Sequence, residues 1–284
     1  ATMRWTPGGV SDNIEDRRGA SGGAGLRLPG GRFGLGTVVI LLVLSLLFKR
    51  NLFTLLDTGA AGGDAPSGPV QSSAQEDSLV LFVSVVLDSA QADWARRVES
   101  AGRTYRPAHL VLFRDAVASA CGRAESSSGP FYCPGDEKVY IDLGFYQELR
   151  DRFGAPGDFA QAYVLAHEIG HHIQNLLGTE AQVRRLQRGA PGQENDLSVR
   201  LELQADCYAG VWAHDADRAG MLEGGDVEEG LAAAAAVGDD RLQRQAGQTV
   251  NPDAFTHGTS AQRMEWFQRG YREGEVGKCD TFER

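Results

Sequence analysis

The alternation of apolar and polar positions divides the 284-residue chain into four stretches. Residues 1–32 are rich in Gly and charge and lack apolar periodicity, which predicts a flexible tail. Residues 33–48 (FGLGTVVILLVLSLLF) carry no charge and no polar face, so they predict a membrane span rather than an amphipathic core helix. At about 1.5 Å per residue this run reaches roughly 24 Å against a hydrocarbon core of about 30 Å. The span therefore needs extension to residue 56, or snorkelling by Lys49 and Arg50. Residues 57–78 are small, polar and Pro/Gly-bearing and read as a linker. A folded domain is expected over 79–284.

Within that domain, 79–101 has mixed helical spacing, while 108–113 (AHLVLF) and 138–143 (KVYIDL) read as short strands. Between the strands, 122–135 reads as a Ser/Gly/Pro loop. Helices are predicted over 159–177, 197–214, 227–246 and 260–272, separated by Gly- and Pro-bearing breaks. The expected class is α+β, predominantly helical with a small sheet, preceded by one transmembrane helix.

Composition narrows the function. A 42% hydrophobic content supplies a packed core, and a net charge of −10 argues against nucleic-acid binding, which needs a basic footprint. Arg4, Arg17, Arg18, Arg27 and Arg32 precede the apolar run and only Lys49 and Arg50 follow it closely. The positive-inside bias then places the N-terminus in the cytoplasm and the domain outside. A cleaved signal peptide, with Ala60 and Ala61 downstream, is the competing reading, disfavoured by the long stretch before the run. In an oxidising space the four cysteines are most simply two disulfides, with proximity suggesting Cys121–Cys133 and Cys207–Cys279.

The sharpest chemical signal is His167-Glu168-Ile169-Gly170-His171, an H-E-x-x-H inside a helix-compatible apolar stretch. Residues four apart share a helical face, so both imidazoles can reach one zinc ion, with Glu168 beside the water as general base. Downstream, Glu202 and Asp206 are also four apart, in a segment made apolar by Ala205, Cys207, Tyr208, Val211 and Trp212. Unpaired carboxylates would be costly to bury there. Glu202 is therefore the expected third ligand, and Asp206 the acceptor that fixes the tautomer of a ligating histidine. The bland readings are histidines that pack a helix and a solvated acidic face.

HEIGHH, ELQADCYAG and FTHGTSAQR, with Met3-Arg4-Trp5 and Asp16-Arg17-Arg18 ahead of a single apolar span, resemble the bacterial family of neutral zinc metallopeptidases. More distantly, H-E-x-x-H with a downstream E-x-x-x-D resembles the gluzincin clan. The resemblance implies a zincin-like domain, peptide-bond hydrolysis with one Zn2+ per chain, and a single-pass protein of the bacterial cell membrane whose catalytic domain faces outward. His257 resembles the histidine of a T-H-P segment in the distant membrane proteases, with Gly258 in place of Pro; it either hydrogen-bonds the oxyanion or packs beside a cap from Thr256 or Thr259. Tyr140 and Asp142 lie on a strand that, as an edge, would pair with an extended substrate, Tyr140 assisting the oxyanion; the alternative is ordinary strand residues. His172 should face away from the metal, and Arg263 reads as a structural ion-pair partner. The alternatives to a peptidase are a zinc-stabilised, membrane-tethered binding scaffold and a hydrolase of a non-peptide cell-wall amide.

Overall fold

The structure is a computed structural model that describes residues 2–19, 70, 72–126, 129–152, 154–155 and 157–283. The apolar run predicted to span a membrane lies outside the described residues, as does most of the predicted linker. The described chain is mostly helical around a small sheet. In chain order the strands are β1 (Ile14–Asp16), β2 (His109–Phe113), β3 (Ala116–Ser119), β4 (Gly122–Glu125), β5 (Phe131–Cys133) and β6 (Lys138–Asp142). The helices are α1 (Ala74–Ser100), α2 (Gly144–Asp151), α3 (Asp158–Leu177), α4 (Thr179–Gly189), α5 (Glu194–Arg218), α6 (Asp226–Ala236), α7 (Asp239–Gln245) and α8 (Ser260–Glu273).

Strand order in the main sheet is β1-β2-β6-β5, with β1, β2 and β6 parallel and β5 antiparallel on the edge beside β6. The unbroken apolar run in β2 follows from having both faces covered. Leu110 and Leu112 join Val139 and Ile141 of β6 in the main core with the helices, while Val111, Phe113 and Tyr140 join a second cluster with Val117 and Cys133. The β3–β4 hairpin and β5 occupy the stretch expected to be a bare loop, and Cys121 on the hairpin's turn is bonded to Cys133 of β5. A second disulfide joins Cys207 to Cys279.

Three expectations about organisation are corrected. First, residues 2–19 are not a free tail. β1 pairs with β2, Met3 is buried, Trp5 packs edge-on against Phe82, and Glu15 forms an ion pair with Lys138. Alternating polar and apolar residues too short to show a period thus become ordered by docking on an existing strand edge. Residues 1–18 and 70–284 form one compact unit. Second, the domain does not start at 79: Ser73 and Glu76 build a reciprocal capping box that starts α1 at Ala74. Third, the helix predicted over 227–246 is two helices, α6 and α7, broken at Val237 and Gly238. Among the described residues α1 is long and apolar enough to cross a membrane, yet it is a core helix, with Val83, Val86, Leu87 and Trp94 buried in the main cluster.

Candidate metal centre

α3 carries the H-E-x-x-H motif through its middle and stops at Gly178, whose φ of 84° is the left-handed conformation that closes a helix. Gly170, between the two motif histidines, faces α5: a Cβ there would meet the Ala205 carbonyl oxygen at 3.0 Å. The missing side chain lets the two helices cross closely, so that Glu202 and Asp206, one turn apart on α5, meet His167 and His171.

Each imidazole is held by its Nδ1 and presents its Nε2 to the same carboxylate. His167 Nδ1 lies 2.8 Å from Asp206 Oδ1, and His171 Nδ1 lies 2.8 Å from Gln174 Oε1. His167 Nε2 is 3.2 Å from Glu202 Oε2, and His171 Nε2 is 3.4 Å from Glu202 Oε1. Donors bound to a tetrahedral zinc at about 2.0–2.2 Å stand roughly 3.3–3.6 Å apart. Both imidazole–carboxylate separations are close to that spacing, the three ligand atoms lie within 4.8 Å of one another, and a donor set of two imidazoles and one carboxylate suits the same ion.

The electrostatics of the cluster are those of charges forced together. Burial alone would lower the His167 pKa, but Asp206 and Glu202 outweigh it and hold the imidazole up at about 10. Burial would raise the Glu202 carboxyl, yet His171 and His167 bring it well below the usual carboxylate range. For Glu168 burial wins, and its pKa is raised despite both histidines. Asp206, fully buried, stays low against its own desolvation because the Arg263 guanidinium donates to both of its oxygens, at 2.8 and 2.9 Å, and His167 adds to the effect. Tyr163 donates to the same carboxylate at 2.5 Å.

His167, Glu168, His171, Glu202, His257 and Arg263 line a single cleft of about 640 Å³, with Phe131, Phe145, Val164 and Leu242 among its apolar walls. His257 comes from the turn before α8. Asp239 pins that turn by accepting the backbone N–H groups of Thr256, His257 and Gly258 at 2.7, 2.6 and 3.1 Å, while its other oxygen lies 3.1 Å from His257 Nδ1. That hydrogen bond raises the His257 pKa. Thr259 caps α8, so a cap and a cleft-lining histidine coexist in this turn.

Tyr140 is not among the residues that line the cleft. It sits on the inner strand β6, points to the sheet face away from the helices, stacks on Phe131 and donates to Asp136 at 2.7 Å. The edge strand next to β6 is β5, and its Phe131 and Tyr132 line the cleft instead. Asp142 accepts the backbone N–H groups of Asp115 and Gly144. His172 is buried between the Tyr132 hydroxyl and the Arg106 carbonyl, turned from the cleft. Arg263 is the ion-pair partner the sequence suggested, but it also lines the cleft and braces Asp206. Sequence reasoning missed Asp239, Tyr163, Gln174 and the β5 aromatics. Asp239 lay unseen inside a helix taken as continuous, and the others carry no motif.

The similarity of the chain to known proteins agrees with this geometry. The Escherichia coli strain K12 protein named "Uncharacterized protein YpfJ" is 48% identical over 290 residues, covering 99% of each chain. The Mycobacterium tuberculosis strain H37Rv protein named "Uncharacterized protein Rv2575" is 48% identical over 189 residues, 63% of each chain. No solved structure matches. A family model described as "Putative neutral zinc metallopeptidase" matches residues 3–282, and this chain belongs to that family.

Proposed function

We propose that this chain is a zinc-dependent peptidase that hydrolyses peptide or protein substrates, with one zinc held by His167, His171 and Glu202. The observation that carries the reading is the convergence of both Nε2 atoms on the Glu202 carboxylate in a cleft that Glu168 also lines. Zinc, when bound, supplies a Lewis acid that polarises a carbonyl and lowers the pKa of a water toward about 7. Glu168 takes the proton of the attacking water and later returns it to the leaving amine, from its place on the cleft wall beside both histidines. His257, whose pKa is raised by its hydrogen bond to Asp239, in its protonated form donates a hydrogen bond to the oxyanion as negative charge develops there. The β5 strand beside the cleft pairs with β6 alone among the described residues, and its other edge offers a place for an extended peptide.

Two disulfides favour an oxidising compartment for the described unit. Because residues 1–18 belong to the same unit as 70–284, both flanks of the apolar run 33–48 share that compartment. This proposal puts the N-terminal segment and the domain on one side of a membrane, whereas the charge bias around the run predicts opposite sides.

The reading is tested by zinc content and by cleavage of a peptide library. Wild type should hold one zinc and cleave; Glu168→Gln should keep the metal and lose activity by on the order of 10²–10⁴-fold; Glu202→Ala should lose the metal. A Glu168→Gln protein that cleaves at the wild-type rate would sink the mechanism.

A further inference from the structure

The polar groups behind His171 form a chain with one possible direction. Gln204 Nε2 donates to the backbone carbonyl of Cys279 at 3.0 Å, and a carbonyl can only accept. The Gln204 amide is thereby oriented, so its Oε1 accepts from Gln174 Nε2 at 3.1 Å. Gln174 also donates to the Leu201 carbonyl at 2.7 Å, which fixes it the same way round. Its Oε1 is then the acceptor facing His171 Nδ1 at 2.8 Å, so this nitrogen must carry the proton, and the neutral imidazole that binds a metal presents its Nε2 lone pair on the Glu202 side. Gln174 is 0% and Gln204 6% exposed, so water does not compete for these bonds. The origin of the chain is itself anchored: Cys279 is buried and bonded to Cys207 on α5, one residue beyond Asp206, and Thr281 donates to the Arg200 carbonyl at 2.7 Å.

On the metal centre proposed above, we infer that Gln174 and Gln204 are positioning residues. They form a directional relay from the disulfide-anchored C-terminal segment to His171 and fix the tautomer that leaves its Nε2 free for zinc. Gln174 is the direct partner and Gln204 the brace that keeps its amide from rotating. Since the Cys279 carbonyl is held in place by the Cys207–Cys279 bond, the relay ties metal affinity to the oxidised state of that pair.

The test is chelator-competition measurement of the zinc dissociation constant on the full chain, with folding checked by circular dichroism. Gln174→Met should weaken zinc binding about 10–100-fold, as loss of a ligand's hydrogen-bond partner does. Gln204→Met should weaken it less. The double variant should be no weaker than Gln174→Met alone, because both act along one path, whereas independent structural damage would add. Cys279→Ser, folded but lacking the disulfide, should resemble Gln204→Met; Cys207→Ser is the second route to that state should Cys279→Ser not fold. Tight binding in wild type with every folded variant within twofold, or effects that add in the double variant, would overturn the relay and leave the metal centre standing. Failure of wild type to bind zinc at all would remove both.

Discussion

Asp206 illustrates how one carboxylate at this centre serves several neighbours. It accepts from Tyr163 and Arg263 and holds His167 Nδ1, yet it is fully buried. Removing Arg263, itself 4% exposed, would leave that charge without its principal counterion. Arg263→Met should therefore cost about 3–5 kcal/mol of stability, the usual cost of breaking a buried pair from one side, and urea unfolding of the metal-free protein would measure it. His257 supplies a pH test. Its pKa is raised above the ordinary value of about 6.5 by the hydrogen bond to Asp239. The stabilisation from this pair is thus complete below about pH 6.5 and is lost as pH rises through the raised value. The protonated donor persists over the same window, so the basic limb of kcat/KM should fall above 6.5 and move to lower pH in Asp239→Asn. An unchanged limb would remove His257 from the oxyanion role.

At the scale of elements, the centre depends on two close helix crossings set by absent side chains. Gly170 admits α5 against α3. Gly210 and Gly270 do the same for α5 against α8: a Cβ on Gly270 would lie 2.0 Å from the Cys207 carbonyl oxygen, and one on Gly210 would lie 2.1 Å from that of Phe267. This second crossing carries Arg263 to Asp206. Gly270→Ala gains up to about 1 kcal/mol of helix propensity, but the overpacking costs about 1–3 kcal/mol and the contact is with backbone, which does not swing aside. A lower denaturation midpoint at unchanged slope is expected, with weaker zinc binding because α8 is displaced. Helical periodicity revealed α3, α5 and α8 but gave no hint that small residues on their faces set how near they come.

For the whole molecule, the parallel pairing of β1 with β2 is decisive, since it joins the segment before the apolar run to the domain after it. Single added cysteines at exposed Asp12 and Arg185 should react equally with a membrane-impermeant maleimide in intact cells. Labelling of one and protection of the other would show that β1 does not pair in the membrane-associated protein. Charge counts around the run favoured opposite sides, because they register local electrostatics and carry no information about a strand of Ile14–Asp16 finding its partner near residue 110.

The sequence by itself determined the two pairs of the candidate site, because His167 with His171 and Glu202 with Asp206 each repeat at one helical turn, a local spacing that any α-helix converts into a shared face. It determined the main helices and the two inner strands β2 and β6 for the same reason, their apolar period being a property of neighbouring residues. Only the tertiary structure decided what lies far apart in the chain: Asp239 beneath His257, Arg263 against Asp206, the glutamine relay behind His171, and β5 rather than β6 at the open edge. Which way Tyr140 faces was not legible, because alternation along a strand says that side chains face two sides, and only the packed helices and hairpin say which side holds the cleft.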